Sequence, residues 1–557
     1  MRSTTPDGER VAFLNGGIAS PPPFSLDDDP DPDIIGTIES TDAHDARHGL
    51  LSKADIRPYR PASRWRVCCG GRLRLSRRGP KRRLLGLVLK YLFGTVFALL
   101  VLTPLLAPSY LHPPAHYTRL VAQCEAQFSG PEEGLDRIHG CANPHREKVF
   151  ISVSLYDKEG HLAAGAWGQA LVELVRLLGP RNTYVSIYGN GSGRHGASAL
   201  EHLRRLLPCR NTVVYDEHVP LDRFANITMP DGNVRTKRLA YLSEMRNRAL
   251  RPLDTLGGVE GIVFDKVLFL NDVAFRPIDA AQLLFSTNQD AEGHAQYLSA
   301  CALDYKNPLL FYDLYAQRDA EGFSNGLPLF PIFSRAGKGL SRADMLAQTD
   351  AVRVQSCWGG MVAMQAAYLQ HRNDSLPRPD FHKPGSHVID PIHPTGIVAP
   401  VRFRYEPEIF FDACECCLLH ADVSQAARVA TEPAFQSLSK GVFVNPYVRV
   451  AYDWTTLDRL RIVQRWERLF ALPQAIISYF ASLPTHNPHR LVKEGDAFIE
   501  EVWSNTANAW TLESRTGRNG MFCGVREMQL LDTAPRQGDK NWANVHIPTG
   551  QALDFPS

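Results

Sequence analysis

Apolar and polar positions along this chain change their period several times, and each change predicts an element. Lys148–Tyr156 (KVFISVSLY) carries β-branched and aromatic residues in a short run and predicts a strand. Leu171, Leu174, Val175 and Leu178 then recur at i, i+3, i+4 and i+7, a helix that Gly179-Pro180 stops. Thr183–Tyr188 (TYVSIY) predicts a second strand running into the glycine-rich turn Gly189–Gly193. Leu200, Leu203 and Leu207 mark the next helix, and Thr212–Tyr215 (TVVY) the next strand. A basic helix over about 235–250, with apolar Leu239 and Leu242, leads to Lys266–Asp272 (KVLFLND), an apolar strand ending in polar residues. Strands alternating with helices predict an α/β fold, a mostly parallel sheet with helices on both faces. Ligands of such sheets collect at the carboxyl ends of the strands.

Two other stretches show neither period. The first sixty residues hold Pro21-Pro22-Pro23 and the run DDDPDPD, and predict a disordered tail. Leu84–Ala107 is apolar throughout except for Lys90, long enough for a single transmembrane helix and longer than the apolar part of a signal peptide. Nine Arg and Lys residues between Arg64 and Arg83, with no acid among them, precede it. The positive-inside rule therefore puts the N-terminus in the cytosol and the residues beyond the span in the lumen or outside the cell. The organisation expected is a cytosolic tail over 1–83, a span over 84–107, a stem over 108–147, an α/β domain over 148–440 and a helical extension over 441–557. In that extension Trp454, Trp466 and Trp503 stand near leucines.

Composition narrows the function. With 61 Lys and Arg against 59 Asp and Glu the net charge is +2, which excludes a nucleic-acid footprint over the chain as a whole. Eleven cysteines in 557 residues are too dilute for a small disulfide scaffold. Nine lie after the span, an odd number that leaves at least one unpaired, and Cys124 with Cys141 is the first pair expected to bridge. Three glycosylation sequons begin at Asn190, Asn226 and Asn373.

Four motifs could carry chemistry. Asn271 and Asp272 close an apolar strand, as a divalent-cation site at a diphosphate would need and as an ordinary turn also would. The turn Gly189-Asn190-Gly191-Ser192-Gly193 lets backbone amides approach phosphate or ribose, but lacks the spacing of a Walker loop or a Rossmann fingerprint. Arg246 and Asn247, on the basic helix, suit phosphate oxygens or a solvated face. Cys414-Glu415-Cys416-Cys417 with His420 lacks paired zinc spacing, and suits a metal, an acid or buried structural cysteines.

Taken together, the blocks FISVSLYDKEG, YVSIY, YLSEMRNRALRPL, FDKVLFLNDVAF, ACALDY, RDAEGF, SCWGGMV and ECCLLHAD resemble the fungal capsule-associated α-1,3-mannosyltransferase family over Lys148 to about Asp422. The resemblance implies a GT-A-like glycosyltransferase of the Golgi membrane, GDP-mannose as donor, manganese or another divalent cation, a glycan or glycolipid acceptor, and α-1,3 transfer with retention. It implies Asp272 and His420 as metal ligands. Ser154, Tyr156, Asn190, Ser192, Arg246, Asn247 and Asn271 would lie on the donor, Trp358 on the acceptor, and Asp304 and Glu415 would be catalytic acids. In two places the chain departs from the pattern: Gly189-Asn190 come after Tyr188 where an acid is expected, and Gly359 comes after Trp358 where asparagine is common. The departures leave open a transferase of another nucleotide sugar and a noncatalytic membrane-anchored factor of polysaccharide assembly or export. A glycan on Asn190 would block a donor loop, so that sequon is expected to be unused.

Overall fold

The computed structural model describes residues 80–128, 139–217, 219–221, 224, 226–258, 260–370, 400–429, 441–484, 487–532 and 541–548. The acidic tail, most of the basic cluster and the sequon at Asn373 lie outside them. Helix Pro80–Leu106 contains a 23-residue stretch, Leu84–Leu106, long and apolar enough to cross a membrane, with none of it buried by the rest of the chain.

The body is built on a nine-stranded sheet. Its members are β1 (Val149–Leu155), β2 (Thr183–Asn190), β3 (Arg210–Asp216), β6 (Lys266–Leu270), β7 (Ser299–Tyr305), β8 (Arg318–Asp319), β9 (Val352–Ser356), β10 (Met361–Gln365) and β12 (Val442–Ala451). Their spatial order is β3-β2-β1-β6-β10-β7-β12-β9-β8. Strands β1, β2, β3 and β6 pair in parallel, as do β7 and β12, while β10 runs against β6 and β7 and β9 runs against β12 and β8. The sheet is thus mixed and mostly parallel.

Alternation along the strands feeds two cores. On β1, Val149, Ile151, Val153 and Leu155 pack with helices Ala166–Leu178, Gly193–Leu206 and Pro277–Phe285, whereas Phe150 faces the opposite side. There it joins residues of helices Arg238–Gly258 and Glu415–Val429. The strands expected between 149 and 270 overlap those observed, whereas the basic helix runs from Arg238 to Gly258, past its expected end near 250, and residues 235–236 belong to a strand.

The C-terminal region needs correction. Strand β12 lies inside the sheet between β7 and β9, so a boundary at residue 440 cuts through the fold. Trp503 is on a strand, since β13 (Ala497–Ser504) and β14 (Ala509–Thr516) form a hairpin in which Trp503 faces Trp510. Three further ladders are short: β4 (Asn226–Thr228) with β5 (Val234–Thr236), β11 (Asp412–Ala413) with β15 (Gly524–Val525), and β16 (Gln529–Leu531) with β17 (Trp542–Asn544).

Among the described residues three disulfides form, Cys124–Cys141, Cys301–Cys357 and Cys417–Cys523, the first as expected. Cys209, Cys414 and Cys416 are free. Segment 400–413 is tied to the body by buried charge. Lys237 Nζ donates to the carbonyls of Glu406, Glu408 and Phe411 and pairs with Asp412 at 2.7 Å. Arg404 forks onto Asp422, at 2.7 and 3.0 Å.

Candidate active site at the switch point of the sheet

Strand order reverses at β1, which has β2 on one side and β6 on the other. A crevice forms outside the carboxyl ends of strands at such a point, because their connections leave in opposite directions. Here a shallow, open recess is lined by Ser152, Ser154, Arg246, Phe269, Leu270, Asn271 and Trp358. A second recess lies elsewhere beside Tyr305, Phe311 and Phe470, and its acid, Glu467, is already paired with Arg449.

Arg246 is the centre of the polar wall. Its Nε donates to Glu415 Oε1 at 3.0 Å and its Nη1 to Asn271 Oδ1 at 3.3 Å. The guanidinium carbon lies 4.5 Å from the Trp358 ring centre, and Trp358 Nε1 donates to the same Asn271 oxygen at 3.2 Å. Three residues widely spaced in sequence thereby fix one cation. Burial works against its charge, and Cys416 and Glu415 more than compensate, so its pKa is raised.

Asp272 comes directly after Asn271 at the end of β6. It reaches solvent, yet stands among enough protein that desolvation raises its pKa; Asp157 adds to the rise and Arg246 opposes it. No side chain pairs with it among the described residues. Further along the sheet, Asp304 Oδ1 accepts the Asp313 amide at 3.1 Å and Oδ2 contacts the Tyr452 hydroxyl at 3.3 Å. Burial, then the Asp313 charge, pushes Asp304 well above the usual carboxylate range, and burial also raises Asp313. Asp313 Oδ2 in turn accepts the Gly359 amide at 3.2 Å.

Residues 148–422 match a family described as cryptococcal mannosyltransferase 1. That segment belongs to the family. No curated protein matches the chain. The cryptococcal mannosyltransferase segment opens one residue before β1 and ends at Asp422, so it contains every residue of the recess.

The structure brings Ser154, Arg246, Asn271 and Trp358 to one recess, with Glu415 behind Arg246 and Asp272 beside it. It redirects several other expectations. His420 is fully buried against the Cys301–Cys357 bridge, 3.9 Å from Cys301 Sγ, and shows no contact with Asp272. Burial lowers its pKa to about 4, and its Nδ1 has no hydrogen-bond partner among the described residues. Asn247 clamps the Phe403 backbone through both ends of its amide, at 2.8 and 2.9 Å, so it braces segment 400–413 and is fully buried, away from a donor. Ser192 Oγ accepts the Asp157 amide at 2.9 Å and donates to the Asn190 carbonyl, which ties the loop together. The Asn190 amide is buried against the Tyr241 hydroxyl and Met245 sulfur. Trp358 is a buried platform for Arg246, so its face is not open to a sugar. Glu415 and Asp304 are buried with their oxygens engaged.

Tyr156 is exposed and lies over the loop, its ring edge 3.7 Å from where a side chain on Gly191 would begin. Both departures from the family pattern have local explanations. Asp216, at the end of β3, is the register partner of Asn190 and pairs with Arg248 at 3.0 Å, so a neighbouring strand supplies an acid there. Gly359 has φ +56°, and a Cβ would meet the Ala302 carbonyl at 2.0 Å, so this loop accepts only glycine. Asp157, Asp216, Asp313 and Tyr452 escaped the sequence reading, although Asp157 stands inside a recognised block. Asp313 and Tyr452 sit in stretches without any local signal.

Proposed function

We propose that the chain is a GT-A-like, retaining α-1,3-mannosyltransferase that moves mannose from GDP-mannose to a mannose-containing glycan or glycolipid. It works from a type II anchor in the Golgi membrane. The family supports the sugar, and the reversal of strand order at β1 with an acid just past β6 supports the fold class. The observation that carries the reading is the fixed Arg246 beside an unpaired Asp272 at the switch point, one cation and one carboxylate where a nucleoside diphosphate would lie.

Asp272 fits a divalent cation such as manganese: it is a hard oxygen ligand, exposed next to the recess, and no side chain among the described residues pairs with it. When bound, that ion supplies charge neutralisation for the diphosphate. His420 does not fit as a second ligand, because it is enclosed in the core beside a disulfide. Arg246 is held ready for the negative charge that develops as the anomeric carbon–oxygen bond breaks. Its geometry is fixed before the reaction by Glu415, Asn271 and Trp358, which are positioning residues. Tyr156 offers an exposed ring on the side of the nucleotide base. With Glu415 and Asp304 engaged, retention is assigned to front-face attack: the acceptor oxygen bonds to the anomeric carbon, and its proton passes to the departing phosphate oxygen.

The test is nucleotide release by the purified full chain from a panel of nucleotide sugars, with simple mannosides as acceptors, with and without manganese. Mannoside-dependent GDP release that needs manganese is expected. Release from another nucleotide sugar alone would move the donor assignment, and silence from folded protein that GDP fails to stabilise would favour a noncatalytic assembly factor.

A further inference from the structure

Helix Ala471–Phe480 has its polarity reversed. Gln474 and Ser478, one turn apart, face the protein: Gln474 donates to the carbonyl of Ile332 at 3.1 Å, and Ser478 Oγ accepts the Leu327 amide at 2.9 Å. Leu472, Ile476, Tyr479 and Phe480, at i, i+4, i+7 and i+8, form the outer stripe and are 65%, 47%, 80% and 81% exposed. A helix on a water-facing surface carries the opposite arrangement, apolar stripe inward and polar face outward.

The position of the helix says what covers that stripe. Pro104 lies inside helix Pro80–Leu106, and having no N–H it leaves the Leu100 carbonyl without its intrahelical donor. Trp466 Nε1 supplies one at 2.9 Å, and the Ser109 amide bonds the Gln464 carbonyl at 2.9 Å. Leu100 is six residues short of Leu106, about 9 Å along the axis at 1.5 Å per residue. Trp466 therefore sits within the last two turns of the apolar span. The 3-10 turn Glu467–Phe470 packs on the same helix and leads directly into Ala471. Exposed Arg465 and the Trp466 and Tyr479 rings are side chains that suit a headgroup boundary.

We infer that helix Ala471–Phe480 lies in the plane of the bilayer surface, its Leu472, Ile476, Tyr479 and Phe480 stripe immersed in the membrane crossed by Leu84–Leu106. The body thus meets the bilayer at a second place beside its anchor, which fixes its orientation on the membrane. The inference rests on the span being embedded.

The test reconstitutes the full chain in phosphatidylcholine vesicles doped with a phospholipid bearing a diazirine on its acyl chain. After photolysis, adducts are mapped by mass spectrometry. Adducts on Leu84–Leu106 and on the 472–480 stripe are expected, with none on Ile499 and Leu512, equally exposed apolar residues of the β13–β14 hairpin. The variant Leu472→Glu/Ile476→Glu/Phe480→Glu, altered only at exposed positions, is expected to lose the adduct on Tyr479 and keep those on the span. Labelled span with an unlabelled helix overturns the inference alone, as does equal labelling of Ile499 and Leu512 or protein–protein adducts in place of lipid ones. An unlabelled span overturns the anchor reading itself.

Discussion

Glu415→Gln tests whether Arg246 is held by a buried charge pair. The Glu415 side chain is 3% exposed and that of Arg246 18%, with Nε to Oε1 at 3.0 Å. The substitution keeps the shape and removes the charge, leaving the guanidinium with neutral partners: the new amide, Asn271 and the Trp358 and Phe403 rings. Arg246→Met does the converse and strands the carboxylate beside two weak thiol donors, Cys414 and Cys416, at 3.7 and 3.6 Å. Breaking a buried pair from one side costs about 3 kcal/mol, whereas removing both partners recovers much of that loss. The double variant should therefore be more stable than the sum of the single variants by about 2 kcal/mol. Unfolding of the full chain in detergent, monitored by tryptophan fluorescence for wild type, both single variants and the double, closes the cycle. Single effects that add to within about 0.5 kcal/mol would refute the coupling and the positioning role built on it.

Three more contacts lend themselves to direct tests. His420 has a folded pKa of about 4 against an ordinary 6.5, so the folded state binds fewer protons between those values. Stability fully present above pH 6.5 should fall by about 3 kcal/mol as pH drops towards 4, a slope that His420→Gln should flatten in thermal melts. Lys237→Met should lower stability by about 3 kcal/mol or more by stranding Asp412, visible as a fall in Tm that the Asp412→Leu partner variant partly restores. Asn190 is buried, so Asn190→Gln should leave electrophoretic mobility before and after endoglycosidase unchanged; a shift would show a glycan in the loop.

Much of this architecture is legible in the sequence because strands β1, β2, β3 and β6 and their helices announce themselves by local period. The acid after β6 is legible for the same reason, since an apolar strand that ends in Asn271-Asp272 has its carboxyl end marked. What the side chains do there is not. Arg246 meets Glu415 across 169 residues, and nothing near either predicts the meeting. Trp358 and His420 both occupy blocks that resemble a site. Yet packing turns one ring under a guanidinium and encloses the other beside a disulfide, outcomes set by tertiary contacts. Asn247 shows the same limit: its neighbour Arg246 faces the recess while Asn247, about 100° further round the helix, faces the Phe403 backbone. The reversed helix Ala471–Phe480 reads locally as an ordinary apolar helix, because only burial distinguishes the face that looks inward.

The proposed function puts the donor diphosphate in the crevice at the β1–β6 switch point, against Arg246 and Asp272. The most direct measurement is mannoside-dependent GDP release from GDP-mannose by wild type, Arg246→Lys and Asp272→Asn, alongside thermal melts. Loss of one preorganised charge contact lowers turnover by about a hundredfold or more. That loss is expected in each variant, with the manganese requirement gone in Asp272→Asn and its Tm within a degree or two of wild type. Folded variants that release GDP at the wild-type rate would contradict the claim.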